Sequence, residues 1–470
     1  MKNNVLITFP NEVVKKGLWN NKDLIILDDY GFWVYDGSSG KRKLKKHPIE
    51  YEDLSKVRDE LNWWSPIFDR WISESFMNEY NRIKSLILIN QIIFYLKKYE
   101  IKHVILMTGV VHHLQDILIS ISCQKLNVIQ LYLYSNVIDG RLLVLKQKGN
   151  IFEREIFMYK KNEHKYEKKI ESFLENLNKG YYPKSNTKIS GYKTSYIIAL
   201  LILNLRGLKK IFSFKKKKNN AKIFQFEENI LGFASSLKIV RRQNQFLKKY
   251  VREALTNEEF HNKTKNKKTL LIAAHYQPEA TSFPEGGNYS NHIEIIHKLR
   301  SIGYKDDLFY KEHPGSKMYI DPPSIFLTKV SIYKNLEFIK QIKEYNCFFL
   351  NFDFKITKNT STNYIPITIG GTLAIERALN GYKTIICGLP WFKDMPGLIH
   401  LDSIQDKKEI DELTLEYDKK IEISAKKYLL KVFNKNTFLN PYCIGTSKKI
   451  DDDISLGLEE FNKLIEHLKK

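Results

Sequence analysis

The sequence predicts an α/β protein built as two successive domains. Three observations support this. At 470 residues the chain is too long for one ordinary domain. Short apolar runs alternate with helical patterns in two separate stretches. A polar, lysine-rich region at about 160–225 lies between them.

Taken in order, "NVLITF" and "DLIILDD" (23–29) read as strands. From about Trp71 to Tyr99, apolar residues recur at helical spacing, as in "SLILINQIIFYLKKYE". "KHVILMTG" is a buried strand of the parallel type, "HHLQDILISISCQKLN" a helix and "VIQLYLYS" the next strand, together a βαβ unit. "KKNEHKYEKKIESFLENLNKG" is a charged amphipathic helix that opens the insertion. A long helix is expected over about 231–255, and "TNEEFHNKTKNKK" reads as a polar linker. The second set begins at Thr269 with the strand "TLLIAAHY" and a helix over 288–301. "DLFYKEHP", "CFFLNF" and "IPITIGG" are further strands. "TLAIERALNG" is a helix closed by Gly381, and "KTIICG" another strand. "SLGLEEFNKLIEHLKK" is a terminal amphipathic helix. The expected division is 1–260 with the insertion at about 160–225, then 261–445, then the helix 446–470, with a cleft between the two domains.

Hydrophobic residues at 43% and aromatics at 13% suffice for two cores and argue against disorder. The net charge of +23, from 76 basic and 53 acidic residues, favours an anionic partner. Lys, Asn and Ile are abundant throughout, so compositional bias accounts for much of that charge. The block Lys215 to Lys218 reads as a solvated loop or a membrane-facing patch. No zinc-finger, RNA-recognition or helix-turn-helix pattern accompanies it, so nucleic acid is not the expected partner. Four scattered cysteines read as buried thiols in a reducing cytoplasm. The apolar run "YIIALLILNL" (196–205) is about half the length needed to span a bilayer. The start, "MKNNVLITFPNE", has too short an apolar segment for a signal peptide. A cytoplasmic protein, soluble or peripherally bound, is expected.

Open α/β sheets bind ligands at the carboxyl ends of their strands, and the polar clusters of this sequence fall there. In "YKEHPG", Lys311 and His313 suit a diphosphate, and His313 can donate to phosphate or protonate a leaving one. The alternative is a turn with incidental polar residues. In "ITIGGTLAIERALNG", Gly370 and Gly371 let backbone approach a ligand. Thr372 sits at a helix N-terminus whose free N–H groups attract phosphate. Glu376, one turn in, is placed for ribose hydroxyls. Equally, the glycines can serve turn geometry alone. Neither G-x-G-x-x-G nor a Walker loop is present.

The stretch "LLIAAHYQPEATSFPEGGNYSNHIEII" (270–296) empties a buried strand into Gln277 and Glu279, which suit a sugar or base. Glu285, Gly286 and Gly287 then precede a helix. In "TGVVHHLQD" (108–116), one of His112, His113 and Asp116 could be the base that activates an acceptor hydroxyl. Adjacent histidines face different ways on a helix, so at most one of them serves. The spacing is not H-E-x-x-H, and no metal site is expected. Arg141, after the Asp139-Gly140 turn, could meet an anion. Trp391 and Phe392 in "CGLPWFKDMPG" either wall a ligand or belong to the core.

"HYQPEATSFPEGG", "KEHP", the Gly/Thr-x-x-x-E helix and "GLPWF" together resemble the capsular polysaccharide biosynthesis proteins, a group that includes bacterial capsule Kdo transferases. The His313-Pro314 pair is similar to a motif shared by several bacterial sialyltransferase families. The resemblance is best over about 268–397 and weaker over 100–145. It implies a GT-B glycosyltransferase, two Rossmann-like domains facing across a cleft. The C-terminal domain would bind the nucleotide sugar and the N-terminal domain the acceptor, a surface glycan or lipid-linked molecule. The implied donor is a CMP-activated acidic sugar such as Kdo or sialic acid, with no other cofactor. His313 would contact the donor phosphate, Gly371 and Thr372 would hold it from the helix side, and His112 and Arg141 would lie on the acceptor side. Two departures stand out. Ile369-Gly370-Gly371-Thr372 replaces the family's small-residue or Thr-Gly-Thr run. "LDDYG" (27–31) is only a loose echo of the Asp/Glu-Asp/Glu-Gly motif that supplies the base in sialyltransferases. The basic surface and the 196–218 segment would hold such an enzyme at an anionic inner leaflet. The rival readings are a sugar-nucleotide epimerase, a CDP-polyol phosphotransferase, or a basic scaffold without enzymatic activity.

Overall fold

A computed structural model describes residues 5–8, 24–28, 33–36, 40–43, 79–107, 111, 114–135, 141–148, 153–159, 175, 245–275, 285–313, 316, 334–354, 356, 363–439 and 450–469. They belong to two compact α/β units. The class expected from the sequence is therefore found, with two Rossmann-like sheets.

The first unit holds β1 (Val5–Thr8), β2 (Leu24–Asp28), β3 (Trp33–Asp36), β4 (Gly40–Lys43), helix α1 (Glu79–Lys98), β5 (His103–Leu106), α2 (Leu114–Lys125), β6 (Ile129–Ser135), β7 (Arg141–Gln147) and β8 (Arg154–Ile156). Strands β2, β1, β5 and β6 run parallel in that spatial order. Antiparallel strands flank them, β3 and β4 on one side, β7 and β8 on the other. Val104, Ile105 and Leu106 are all fully buried, as an interior parallel strand covered on both faces requires. Arg141 opens β7 and pairs with Leu439; the Asp139-Gly140 turn before it lies outside the described residues.

The second unit includes the helical residues 245–253, α3 (Asn257–Thr264), β9 (Thr269–Ala273), α4 (His292–Ser301), β10 (Leu308–Lys311), α5 (Leu336–Glu344), β11 (Cys347–Leu350), β12 (Tyr364–Thr368), α6 (Thr372–Leu379), β13 (Thr384–Ile386), β14 (Leu398–His400) and the part of α7 (Lys419–Asn436) up to Leu429. Its sheet has the order β11-β10-β9-β12-β13-β14, and every pairing is parallel. In terms of the unit's own strands this is 3-2-1-4-5-6, the doubly wound order, with its switch point between β9 and β12.

Alternation along these strands makes two cores. Leu270, Ile272, Leu308, Tyr310, Phe349, Ile365 and Ile367 face one side, with Ile293, Ile296 and Leu299 of α4 and Phe338, Ile339 and Ile342 of α5. Leu271, Phe309, Leu350 and Tyr364 face the other, against Phe260 of α3. Phe246 and Tyr250 join the first of these cores. Residues 245–260 thus belong to the second unit, which begins earlier than the expected boundary at 260.

The segment read as a polar linker is the helix α3. Thr256 caps it, its hydroxyl accepting the Glu259 N–H at 3.2 Å while the Glu259 carboxylate accepts the Thr256 N–H at 2.7 Å. This reciprocal capping box and the burial of Phe260 outweigh an otherwise polar composition. At the end of α6, Gly381 takes φ +78°, the left-handed closure expected for it.

After α7 the chain returns to the first sheet. β15 (Thr437–Leu439) pairs antiparallel with Leu143–Arg141 of β7. Helix α8 (Ile450–Lys469) lays Phe461, Leu464, Ile465 and Leu468 on Val5, Ile7, Ile105, Leu131, Leu133 and Val144. Their i, i+3, i+4, i+7 spacing forms one apolar stripe. The terminal helix is thus part of the first unit's core. Among the described residues, no helix is long and apolar enough to cross a membrane. Cys123, Cys347 and Cys387 are free and buried.

Candidate functional site

The strands of the second sheet end on a polar cluster. β9 leads into His275, which is 8% exposed. β12 ends on Thr368, followed by the turn Ile369-Gly370-Gly371 and α6. The Gly370 N–H donates to His275 Nε2 at 3.2 Å, and the Gly371 N–H donates to Thr368 Oγ1 at 3.3 Å. Thr368 Oγ1 lies 3.2 Å from the same His275 nitrogen. Since Gly370 can only donate, His275 Nε2 is an acceptor and the ring proton is assigned to Nδ1. Burial, with His313 and Lys334 adding to it, pushes the His275 pKa down to about 3. His275 is therefore neutral at physiological pH.

This changes one expectation. The N–H groups of Gly370 and Gly371 are not free for phosphate in this conformation. They are engaged by His275 and Thr368, and an anion would have to take them over. Thr372, the first residue of α6, is exposed. Glu376 is buried at 4% exposure, and burial pushes its carboxyl up to about 8. At pH 7 it is largely protonated and can donate as well as accept.

The β10 exit carries the second group. Lys311, the last strand residue, is 7% exposed. It is more enclosed than a freely reaching phosphate ligand would be. Glu312 is fully buried. Its Oε1 accepts the His313 N–H at 2.8 Å, the Ser316 hydroxyl at 2.8 Å and the Lys334 ammonium at 2.5 Å. Its Oε2 accepts the Tyr310 hydroxyl at 3.1 Å. Tyr310 thereby accepts from His292 Nδ1, 2.8 Å away. The Glu312 N–H donates to the Tyr250 hydroxyl at 2.9 Å, and that hydroxyl donates to Leu350 O at 2.6 Å. Lys334 also reaches the His275 carbonyl at 3.4 Å. Loss of solvent pushes the Lys334 ammonium down, and Glu312 opposes that shift.

His313 itself is exposed. Partial desolvation pushes its pKa down to about 4. Glu312 works against this, while Lys334 and Lys311 add to it. In the free protein it is a neutral imidazole, able to donate one hydrogen bond to a phosphate but not a standing cation.

Around this cluster, the Leu389 N–H donates to Glu285 O at 3.0 Å and the Gly388 N–H to Ile369 O at 2.8 Å. A Cβ on Gly388 would stand 2.8 Å from both of those carbonyl oxygens, so glycine permits the close approach. Trp391 and Phe392 are buried, their rings in edge contact at 5.2 Å, and belong to the core rather than to a ligand wall.

Gln277, Glu279, His112 and His113 lie outside the described residues. Asp116 is described and fully buried in the first turn of α2. Among the described residues, no three His, Cys, Asp or Glu side chains converge as metal ligands would.

Sequence reasoning placed His275 and Glu312 at strand ends but gave no role to them, to Thr368 or to Lys334. The signal for His275 was its place directly after a buried strand. Lys334 had none, since it meets Glu312 from 22 residues away.

The chain matches no established family profile and no curated protein. Among solved structures it is similar to UDP-N-acetylglucosamine 2-epimerase from Rickettsia bellii, at 9% identity over 92% of this chain and 96% of that one, with a TM-score of 0.23. A glycosyltransferase from Rickettsia africae ESF-5 gives 9%, 100%, 99% and 0.22. UDP-GlcNAc 2-epimerase from Methanocaldococcus jannaschii, in complex with UDP-GlcNAc and UDP, gives 11%, 91%, 98% and 0.20. Similarity at that level identifies no activity.

Proposed function

We propose that this chain is a sugar-nucleotide enzyme, a glycosyltransferase whose second unit binds the nucleotide donor. The supporting observation is the all-parallel 3-2-1-4-5-6 sheet with His275, Thr368, Gly370 and Gly371 gathered at its switch point. Sheets of this order bind nucleotides at that place. His313 and the N-terminus of α6 stand at the same strand ends, where they can stabilise charge on a departing phosphate. The donor we favour is a CMP-activated acidic sugar, as the His313-Pro314 resemblance implies, and the acceptor a capsule or lipopolysaccharide-type glycan. The net charge of +23 supports residence at an anionic membrane surface.

The test is a thermal-shift panel of CMP, CDP, UDP and GDP without added metal. A nucleotide at about 100 times its Kd should stabilise the fold by roughly 2.7 kcal/mol. Selective stabilisation by CMP supports the acidic-sugar donor, and selective UDP or GDP binding replaces that donor class. Turnover of the matching nucleotide sugar without any acceptor would make the protein an epimerase. No shift with any nucleotide removes the reading.

A further inference from the structure

The Glu312 carboxylate accepts four hydrogen bonds, from His313 N, Ser316 Oγ, Lys334 Nζ and Tyr310 OH. An ionised carboxylate offers about four lone-pair sites. Three of the bonds go to Oε1 and one to Oε2, and at 0% exposure Glu312 has no face left for a ligand. It is not a substrate-binding residue, although it sits between Lys311 and His313.

A buried ion pair is a poor source of stability, since apolar residues of similar volume often do as well. What this pair supplies is geometry. One oxygen, Oε1, holds the peptide of His313, the hydroxyl of Ser316 and the ammonium of Lys334. Lys334 extends the link to the His275 carbonyl, at the end of the neighbouring strand. On the other side, Oε2 is fixed through Tyr310 to His292 of α4. The Glu312 main chain is fixed by Tyr250, which also holds the end of β11. The exits of three parallel strands, β9, β10 and β11, are thus joined at one residue, and His313 hangs directly from it.

We propose that Glu312, charge-balanced by Lys334, is the positioning residue for His313, setting the place of its imidazole against the donor phosphate. This rests on the reading of the site as a nucleotide-sugar site.

The test compares two double variants. Glu312→Met with Lys334→Met removes both charges and the acceptor for the His313 N–H. Glu312→Gln with Lys334→Met removes both charges but keeps one carbonyl oxygen for that N–H. Thermal midpoints report folding, the ring C–H signals of His313 report its environment, and calorimetry reports affinity for whichever of CMP and UDP the wild type binds. The Met pair should shift the His313 ring signals and weaken nucleotide binding at least ten-fold, and the Gln pair should recover most of both. A folded Met pair with wild-type ring signals and wild-type affinity overturns the proposal. Should the Met pair fail to fold, Ser316→Ala decides. It removes one bond to the same oxygen and should move the same ring signals in the same direction, and unmoved signals overturn the proposal. A wild-type protein that binds neither nucleotide would defeat the functional reading, while the ring signals would still decide whether Glu312 places His313.

Discussion

Gly370 gives its N–H to Nε2 of His275 across 3.2 Å, and so ties the exit of β12 to the exit of β9. Those strands flank the switch point of the second sheet. The same nitrogen lies 3.2 Å from Thr368 Oγ1, which accepts the Gly371 N–H. The directions are consistent only if His275 is neutral with its proton on Nδ1. The turn is thus held by side chains that compete with an anion for its N–H groups.

Gly371→Ala should break this arrangement. Its φ of −74° is ordinary, so the backbone is not the obstacle. The added Cβ would stand 2.9 Å from Thr368 Oγ1 and 3.1 Å from His275 Nε2. Overpacking of this kind costs about 1–3 kcal/mol. Urea unfolding should show that loss, and the nucleotide stabilised in the thermal panel should bind more weakly. Unchanged stability and affinity would mean that the turn is not set by these contacts.

His313 should titrate near pH 4 in the free protein, because desolvation outweighs the pull of Glu312. The nucleotide phosphate bound beside it adds negative charge and favours the imidazolium, raising the pKa by roughly one unit or more. The ring signals followed against pH, with and without the nucleotide, measure both values. A pKa that does not move on binding would place the phosphate elsewhere. In the same samples, His313→Ala should keep the fold and abolish turnover.

Thr256→Ala should cost about 0.5–2 kcal/mol, the usual price of an N-cap. It removes the acceptor of the Glu259 N–H and half of the capping box. Denaturant unfolding of the variant checks this. An unchanged midpoint would show that Phe260 alone holds α3 in place.

That helix marks where sequence reading failed. Its composition is polar, and only Phe260 and Thr264 are buried. Periodicity therefore gave no signal, and the Thr256–Glu259 cap was not read from the sequence. Strands such as β5, β9 and β10 were legible because parallel strands covered on both faces are continuous apolar runs. The turn at Gly370 and Gly371 was legible as a place but not as a state, since nothing in the sequence showed that His275 and Thr368 occupy its N–H groups. The bond between Glu312 and Lys334 was invisible, because only the fold brings the two together.

Phe461→Ala should destabilise the first unit by about 3–5 kcal/mol. Its ring is fully buried among Leu131, Leu133, Val144 and the strands β1 and β5. Because α8 completes that core, the loss should appear in hydrogen exchange of β1 and β5, although those strands are far away in sequence. Exchange rates in β5 that stay at wild-type values would show that α8 is an independent appendage.

Stability should have a maximum near pH 6.5 and fall on both sides. On the acid side, His275 is pushed down to about 3 and His292 well below its ordinary value, both chiefly by burial. Unfolded histidines titrate near 6.5. Between about pH 3 and pH 6.5 the unfolded chain binds more protons, so stability is fully present above 6.5 and is lost as the pH falls. Each of the two can contribute a slope of up to about 1.4 kcal/mol per pH unit. His313 acts in the same direction but less strongly, since solvent screens it. On the alkaline side, the Glu376 carboxyl is raised to about 8 by burial. The folded protein then holds a proton that the unfolded chain has already released, so this contribution is lost as the pH rises from about 4.5 through 8. Below 6.5 the histidines outweigh it, and above 6.5 their contribution is complete while that of Glu376 is still being lost. Urea midpoints measured from pH 4 to pH 8.5 test both limbs. Glu376→Gln should flatten the alkaline limb and leave the acid limb in place. An alkaline limb that persists in that variant would assign the proton to another group.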